Sequence, residues 1–153
     1  MSNKHDAQDF DIQVKLAIYR HFAATGVRPG LAETAASLGA AHAEIQDAFR
    51  RLFQKRVLVL EEDGESIRMA PPFSGIPTQH RVRAKGISYY ANCAWDALGI
   101  PAALHEPAKI ESRCEQSREP LEIAVSLDGP APVACVIHFA VPAARWWEDI
   151  VYT

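Results

Sequence analysis

Apolar positions recur at helical spacing from Asp11 to about Thr25, where Ile12, Leu16, Ile18, Tyr19 and Phe22 line up and Gly26 stops the pattern. Pro29-Gly30 marks a turn, and a short helix is predicted over Leu31 to Leu38, closed by Gly39. A longer helix is predicted from about Ala41 to Lys55, with Ile45, Phe49, Leu52 and Phe53 on its apolar face. The period then changes from helical to alternating. Val57 to Leu60 predicts a strand, Asp63-Gly64 a turn, and Ser66 to Met69 the returning strand. Three helices followed by a hairpin is a winged-helix pattern.

Pro71, Pro72, Gly75 and Pro77 give the stretch Ala70 to Thr78 the composition of a linker. Beyond it, Arg81 to Lys85 predicts a strand ending at Gly86, and Asn92 to Leu98 a short helix closed by Gly99 and Pro101. Lys109 to Cys114, Leu121 to Leu127 and Val133 to Val141 predict three more strands, and Pro142 opens a last helical stretch through Trp146, Trp147 and Ile150. The expected class is α+β. A winged-helix-like helical domain (residues 1–70) and a linker (71–78) precede a mainly antiparallel sheet domain with short helices (79–153).

Composition narrows the function classes. The 153 residues are 48% hydrophobic and 23% charged, ordinary for a chain that buries a core. No apolar run approaches the roughly 18–20 residues that span a bilayer. The polar start, Met1 to Phe10, lacks the pattern of a signal peptide, so a cytoplasmic location is expected. Three cysteines, Cys93, Cys114 and Cys135, with no CxxC, and six histidines without HxH or HxxxH spacing, argue against a disulfide framework and a structural zinc site.

The winged-helix pattern raises the question of DNA. The candidate recognition helix carries Arg50, Arg51, Lys55 and Arg56 beside Glu44 and Asp47, but the wing tip holds Glu61, Glu62, Asp63 and Glu65. Duplex DNA carries one negative charge per roughly 1.7 Å of axis and would repel such a wing. With a net charge of −3, nucleic acid is not an expected partner.

The stretch with the most chemistry is Tyr89-Tyr90-Ala91-Asn92-Cys93-Ala94-Trp95-Asp96. Asn92 is a favoured N-cap residue, which would put Cys93 in the first helical turn, where the positive helix end favours thiolate. Asp96, three residues on, shares its helix face. A thiolate beside a carboxylate combines a soft-metal ligand with a proton-handling group. A buried structural cysteine and an exposed aspartate would give the same spacing. Trp146 and Trp147 are expected as core anchors, with a pocket lining as the other use, His138 as a hydrogen-bonded core histidine, and Cys114 as a small buried hydrophobe. Tyr89 and Tyr90 are expected as strand packing, with one of them over the site as the other use.

Cys93-Ala-Trp-Asp96 with Ala97-Leu98-Gly99-Ile100-Pro101-Ala102 resembles the active-site helix of the organomercurial (alkylmercury) lyases. The resemblance continues through Ala108 to Cys114 and Pro120 to Val125, and upstream in Arg68 to Ser74 and the helical front. It implies protonolysis of a carbon–mercury bond, giving a hydrocarbon and thiol-bound Hg(II). Cys93 corresponds to the thiolate that captures mercury and Asp96 to the proton shuttle, both also holding the metal; Cys114 corresponds to a structural cysteine. The family's second catalytic cysteine follows the segment that Pro142 to Thr153 resembles, and so falls directly after Thr153. With Cys93 alone, organomercurial binding with slow cleavage is expected.

The implied substrate is a small organomercurial. No organic cofactor is implied, and cytosolic thiols or a mercuric reductase would accept the Hg(II). The alternative function is a soft-metal-binding or metal-responsive winged-helix regulator without lyase activity.

Overall fold

The computed structural model describes residues 2–152. Three helices open the chain: α1 (Ser2–Thr25), α2 (Leu31–Leu38) and α3 (His42–Gln54). Glu33 and Glu44 each reach back to accept from the backbone N–H before their own helix, Gly30 and Ala41, both at 2.8 Å, which satisfies donors that the helix geometry strands. Gly39 ends α2 in the left-handed conformation with φ of 62°. Val14, Ile18 and Phe22 of α1 pack with Ile45, Ala48, Phe49 and Leu52 of α3, each large side chain contributing about 1.5–3 kcal/mol. Ile12 and Leu16, expected on that same face, are exposed instead. Ile18 and Phe22 are buried as expected, and Val14 takes the core position expected of Ile12 and Leu16.

The front half ends in a three-stranded antiparallel sheet, β1 (Val59–Leu60), β2 (Ile67–Ala70) and β3 (Phe73–Ser74), in that order. β3 lies inside the stretch expected as a linker. Phe73 is 3% exposed, stacks on Phe22 at 5.2 Å and meets Tyr89 at 5.6 Å. Prolines here shape a bend rather than a tether, because an apolar ring between them has a core to enter.

A five-stranded antiparallel sheet follows, ordered β5-β4-β6-β7-β8. Its strands are β4 (Arg81–Ala84), β5 (Ile87–Tyr90), β6 (Ala108–Arg113), β7 (Pro120–Ser126) and β8 (Gly129–Pro130), with helix α4 (Ala94–Leu104) between β5 and β6. Lys85-Gly86, both at positive φ, turn β4 into β5, so the strand expected to end at Gly86 is half of a hairpin. Val82 pairs with Ile110 and Ile110 with Ile123, and Ala97 and Ile100 of α4 join them in one buried cluster shared with the front helices. Gly26 fixes the contact between halves: a Cβ there would lie 2.1 Å from the Ser88 carbonyl, and its φ is +78°.

Two expectations fail. The helix predicted to close at Gly99 and Pro101 runs on to Leu104, with Gly99 packed against Pro72 and the left-handed His105 as its cap. The strand predicted over Val133 to Val141 is irregular and mostly exposed, Val136 to 90%. A β-branched sequence forms a strand only where a neighbour offers a ladder, and residues 133–141 pair with no strand of either sheet. The last stretch is a short 3-10 turn, Ala143–Glu148, after Pro142.

Among the described residues no helix is long and apolar enough to cross a membrane.

Candidate active site

The site forms where β5 hands over to α4. Phe73 bridges to Ala91, Thr78 donates its hydroxyl to the Ala91 carbonyl at 2.6 Å, and the Ala91 N–H donates to the His80 carbonyl at 2.9 Å. This pinning fixes the backbone one residue before Asn92-Cys93.

Cys93 itself, not Asn92, is the N-cap of α4, in extended conformation with φ of −150° and ψ of 179°. Its sulfur accepts from the Asp96 N–H at 3.5 Å and its carbonyl from the Ala97 N–H at 3.0 Å. Asn92 has a different task. Its Nδ2 donates to Asp96 Oδ2 at 2.9 Å and to the Phe73 carbonyl at 3.2 Å.

Cys93 and Asp96 line a cavity of about 780 Å³. One wall is Lys15, Leu16 and Tyr19 of α1, the side of that helix turned away from the core; another is Phe139, Trp146 and Trp147. Trp95 meets Phe139 edge-on at 6.2 Å, Phe139 meets Trp146 at 5.0 Å, and Arg56 lies over Trp147 at 5.9 Å. His80, buried and bonded through Nδ1 to the Ser112 hydroxyl at 2.8 Å, is also part of the lining.

Burial sets the electrostatics. It pushes the Cys93 thiol up, and the Asp96 charge adds to that, against the smaller opposing effect of the Asp96 and Trp95 N–H groups. The expected activation at a helix start is outweighed: two amides stabilise the thiolate less than loss of water destabilises it. Burial likewise raises Asp96, with the Asn92 bond opposing. Tyr19 is raised by burial and by the Asp96 charge, while its hydroxyl donates to the Pro71 carbonyl at 2.9 Å. His80 is lowered by burial, Glu115 opposing. A thiol and a carboxyl that both hold their protons tightly suit a site that passes one proton between them.

Other sequence-based expectations resolve as follows. Cys114 lies at the turn after β6, not in the core; its sulfur accepts from Ser117, whose hydroxyl and N–H, with that of Gln116, hold the thiol below its usual range. Cys135 is exposed and is not part of the cavity lining. His138 is exposed rather than a core histidine, and Trp146 and Trp147 line the cavity rather than anchor a core. Tyr89 is buried strand packing, its hydroxyl donating to the Ala23 carbonyl at 2.8 Å. Neither His80 nor the Asn92 amide was legible as a site group in the sequence; Tyr19 was visible only as an apolar helix position. Among the described residues no three His, Cys, Asp or Glu side chains are grouped to hold a metal ion; the cavity lining carries one thiol, Cys93, with the Asp96 carboxyl in the same helical turn.

Comparison with known proteins follows the same residues. The alkylmercury lyase family model matches residues 73–153, which begins at β3 and contains the site. The alkylmercury lyases of Bacillus cereus and Clostridium butyricum are each 34% identical over 70 residues, 44% of this chain. That stretch covers 32% of the length of each relative. A crystal structure of the mercury-bound form of MerB2 has the same fold at a TM-score of 0.63 and 24% identity, across 80% of this chain and 60% of that one. With its site helix and sheet inside the matched region, the chain belongs to the alkylmercury lyase family.

Proposed function

We propose that this chain cleaves carbon–mercury bonds of small organomercurials by protonolysis, with Cys93 as the capturing thiol and Asp96 as the proton shuttle. The observation that carries this is the placement of Cys93 and Asp96 in one turn, at the wall of an apolar cavity, with both groups protonated more readily than usual. An organomercurial R–Hg–X exchanges X for the Cys93 sulfur; the thiol proton passes to the Asp96 carboxylate. The acid then gives that proton to carbon. The carbon–mercury electron pair becomes the new C–H bond, and mercury stays Hg(II) throughout, held by the Cys93 thiolate and the Asp96 carboxylate. An apolar surround keeps a carboxyl protonated and able to donate. Thiolate is the natural partner for so soft a metal. A small thiol supplies a second sulfur and carries the ion away, to a mercuric reductase or another acceptor; no organic cofactor is needed.

The front half is read as a winged-helix-like domain whose role here is to wall the cavity through α1. The rival reading, a metal-responsive regulator, finds little in α3 to favour it: Arg51 and Lys55 both turn onto Asp11, and Arg50 onto Asp47.

Methane release from methylmercury in the presence of excess small thiol, followed by gas chromatography, tests the proposal. Wild type should release methane, Asp96→Ala should bind methylmercury without releasing it, and Cys93→Ala should do neither. Equal release by Cys93→Ala and wild type would overturn the assignment.

A further inference from the structure

The Asn92 amide joins two elements at the cavity wall, β3 through the Phe73 carbonyl and α4 through Oδ2 of Asp96. Both partners are acceptors, so only the amide nitrogen can face them. A flipped amide would set oxygen against two oxygens; the β3 carbonyl therefore dictates the amide's direction. The opposite end of the same side chain shows what this arrangement costs. Asn92 Oδ1 is buried with no hydrogen-bond partner among the described residues. A buried acceptor that has lost water without gaining a partner is unfavourable. Helix capping does not explain the residue, because Cys93 occupies the cap. What the amide does accomplish is a fixed grip on one oxygen of Asp96.

Of the two Asp96 oxygens, Oδ2 takes that bond. In a carboxylic acid the carbonyl oxygen is the better acceptor, so a donor held on Oδ2 directs the proton to Oδ1. We propose that Asn92 is a positioning residue that ties Oδ2 of Asp96 to the β3 backbone, so that the transferable proton is carried on Oδ1. This rests on the protonolysis proposed above. In the step it serves, the Oδ1–H bond breaks, the carbon–mercury pair becomes the C–H bond, and the carboxylate left behind keeps the Asn92 N–H on Oδ2 while mercury takes the oxygen that was freed.

Two measurements test it. In unliganded ¹⁵N-labelled protein, Asp96→Ala should move the Asn92 side-chain amide signal upfield, because its acceptor is gone; an unmoved signal overturns the proposal whether or not the chain cleaves anything. In methylmercury turnover with excess thiol, Asn92→Leu should lower kcat roughly 10–100-fold, the range that misplacement of a reacting group produces, with KM changed less than about twofold. Asn92→Gln, which keeps an amide, should recover part of that loss. Equal rates for Asn92→Leu and wild type, or equal losses in the Leu and Gln variants, overturn the positioning role and leave the protonolysis standing. No methane from wild type overturns the protonolysis, and with it this step, while the amide signal still reports whether the Asn92–Asp96 tie exists.

Discussion

The backbone N–H of Asp96 points at the sulfur of Cys93 over 3.5 Å, so the thiol caps the helix that carries the acid. The residue that caps the helix is thereby also the one proposed to capture mercury, and its sulfur sits in the cavity wall instead of at a solvated helix end. Burial raises that thiol, whereas Ser117 and its neighbours lower Cys114. With limiting iodoacetamide at neutral pH, Cys114 is expected to label before Cys93, since thiolate is the reactive form. Peptide mass spectrometry reads the order; Cys93 labelled first would mean that the helix start outweighs burial after all.

Phe73 occupies the centre of the contact between the two sheets, stacked on Phe22. Phe73→Ala should cost about 3–4 kcal/mol, in the range for buried phenylalanine truncation. Urea unfolding followed by circular dichroism measures it. A loss below about 1 kcal/mol would return the proline-rich stretch to the status of a tether.

Asp11 is a buried carboxylate on α1 that holds Arg51 and Lys55 of the α3 end, each at 2.7 Å. Burial raises its carboxyl, but the bonds from Arg51 and Lys55 outweigh that and leave it below the ordinary 3.8. The folded form therefore binds fewer protons than the unfolded one. Its contribution is present above about pH 4 and is lost as pH falls through the folded value. Asp11→Ala should cost about 1–2 kcal/mol at pH 7, less than a fully buried pair because both cations stay partly exposed. The difference from wild type should shrink below pH 4. Constant destabilisation down to pH 2 would show that packing, not charge, is what the residue supplies.

Burial lowers His80 below the ordinary 6.5, against the opposing Glu115 charge. Here the unfolded chain binds the extra proton, so stability is full above about pH 6.5 and falls as pH drops through the folded value. His80→Gln should remove that slope: thermal midpoints of wild type and variant should converge between pH 7 and pH 5. Parallel curves would place the acid sensitivity elsewhere.

The sequence determined by itself much of the local structure. Helix spacing and Gly39 located α2 to the residue and alternating apolar residues located β6 and β7, because these depend on neighbours within one turn or one strand. Cys93 and Asp96 were singled out by resemblance to the alkylmercury lyases, since their spacing fits a buried structural cysteine equally well. Tertiary structure decided the rest. Phe73 became core because Phe22 and Tyr89, distant in sequence, close over it, whereas Val133 to Val141 pairs with no strand despite its β-branched residues. The upward shift of the Cys93 thiol followed from burial in a cavity built from α1, α4 and the C-terminal aromatics, a property of the surroundings that no local spacing encodes. Asn92 gained its grip on Asp96 for the same reason: a helix start is written in four consecutive residues, but the Phe73 carbonyl that aims the amide is brought there only by the fold.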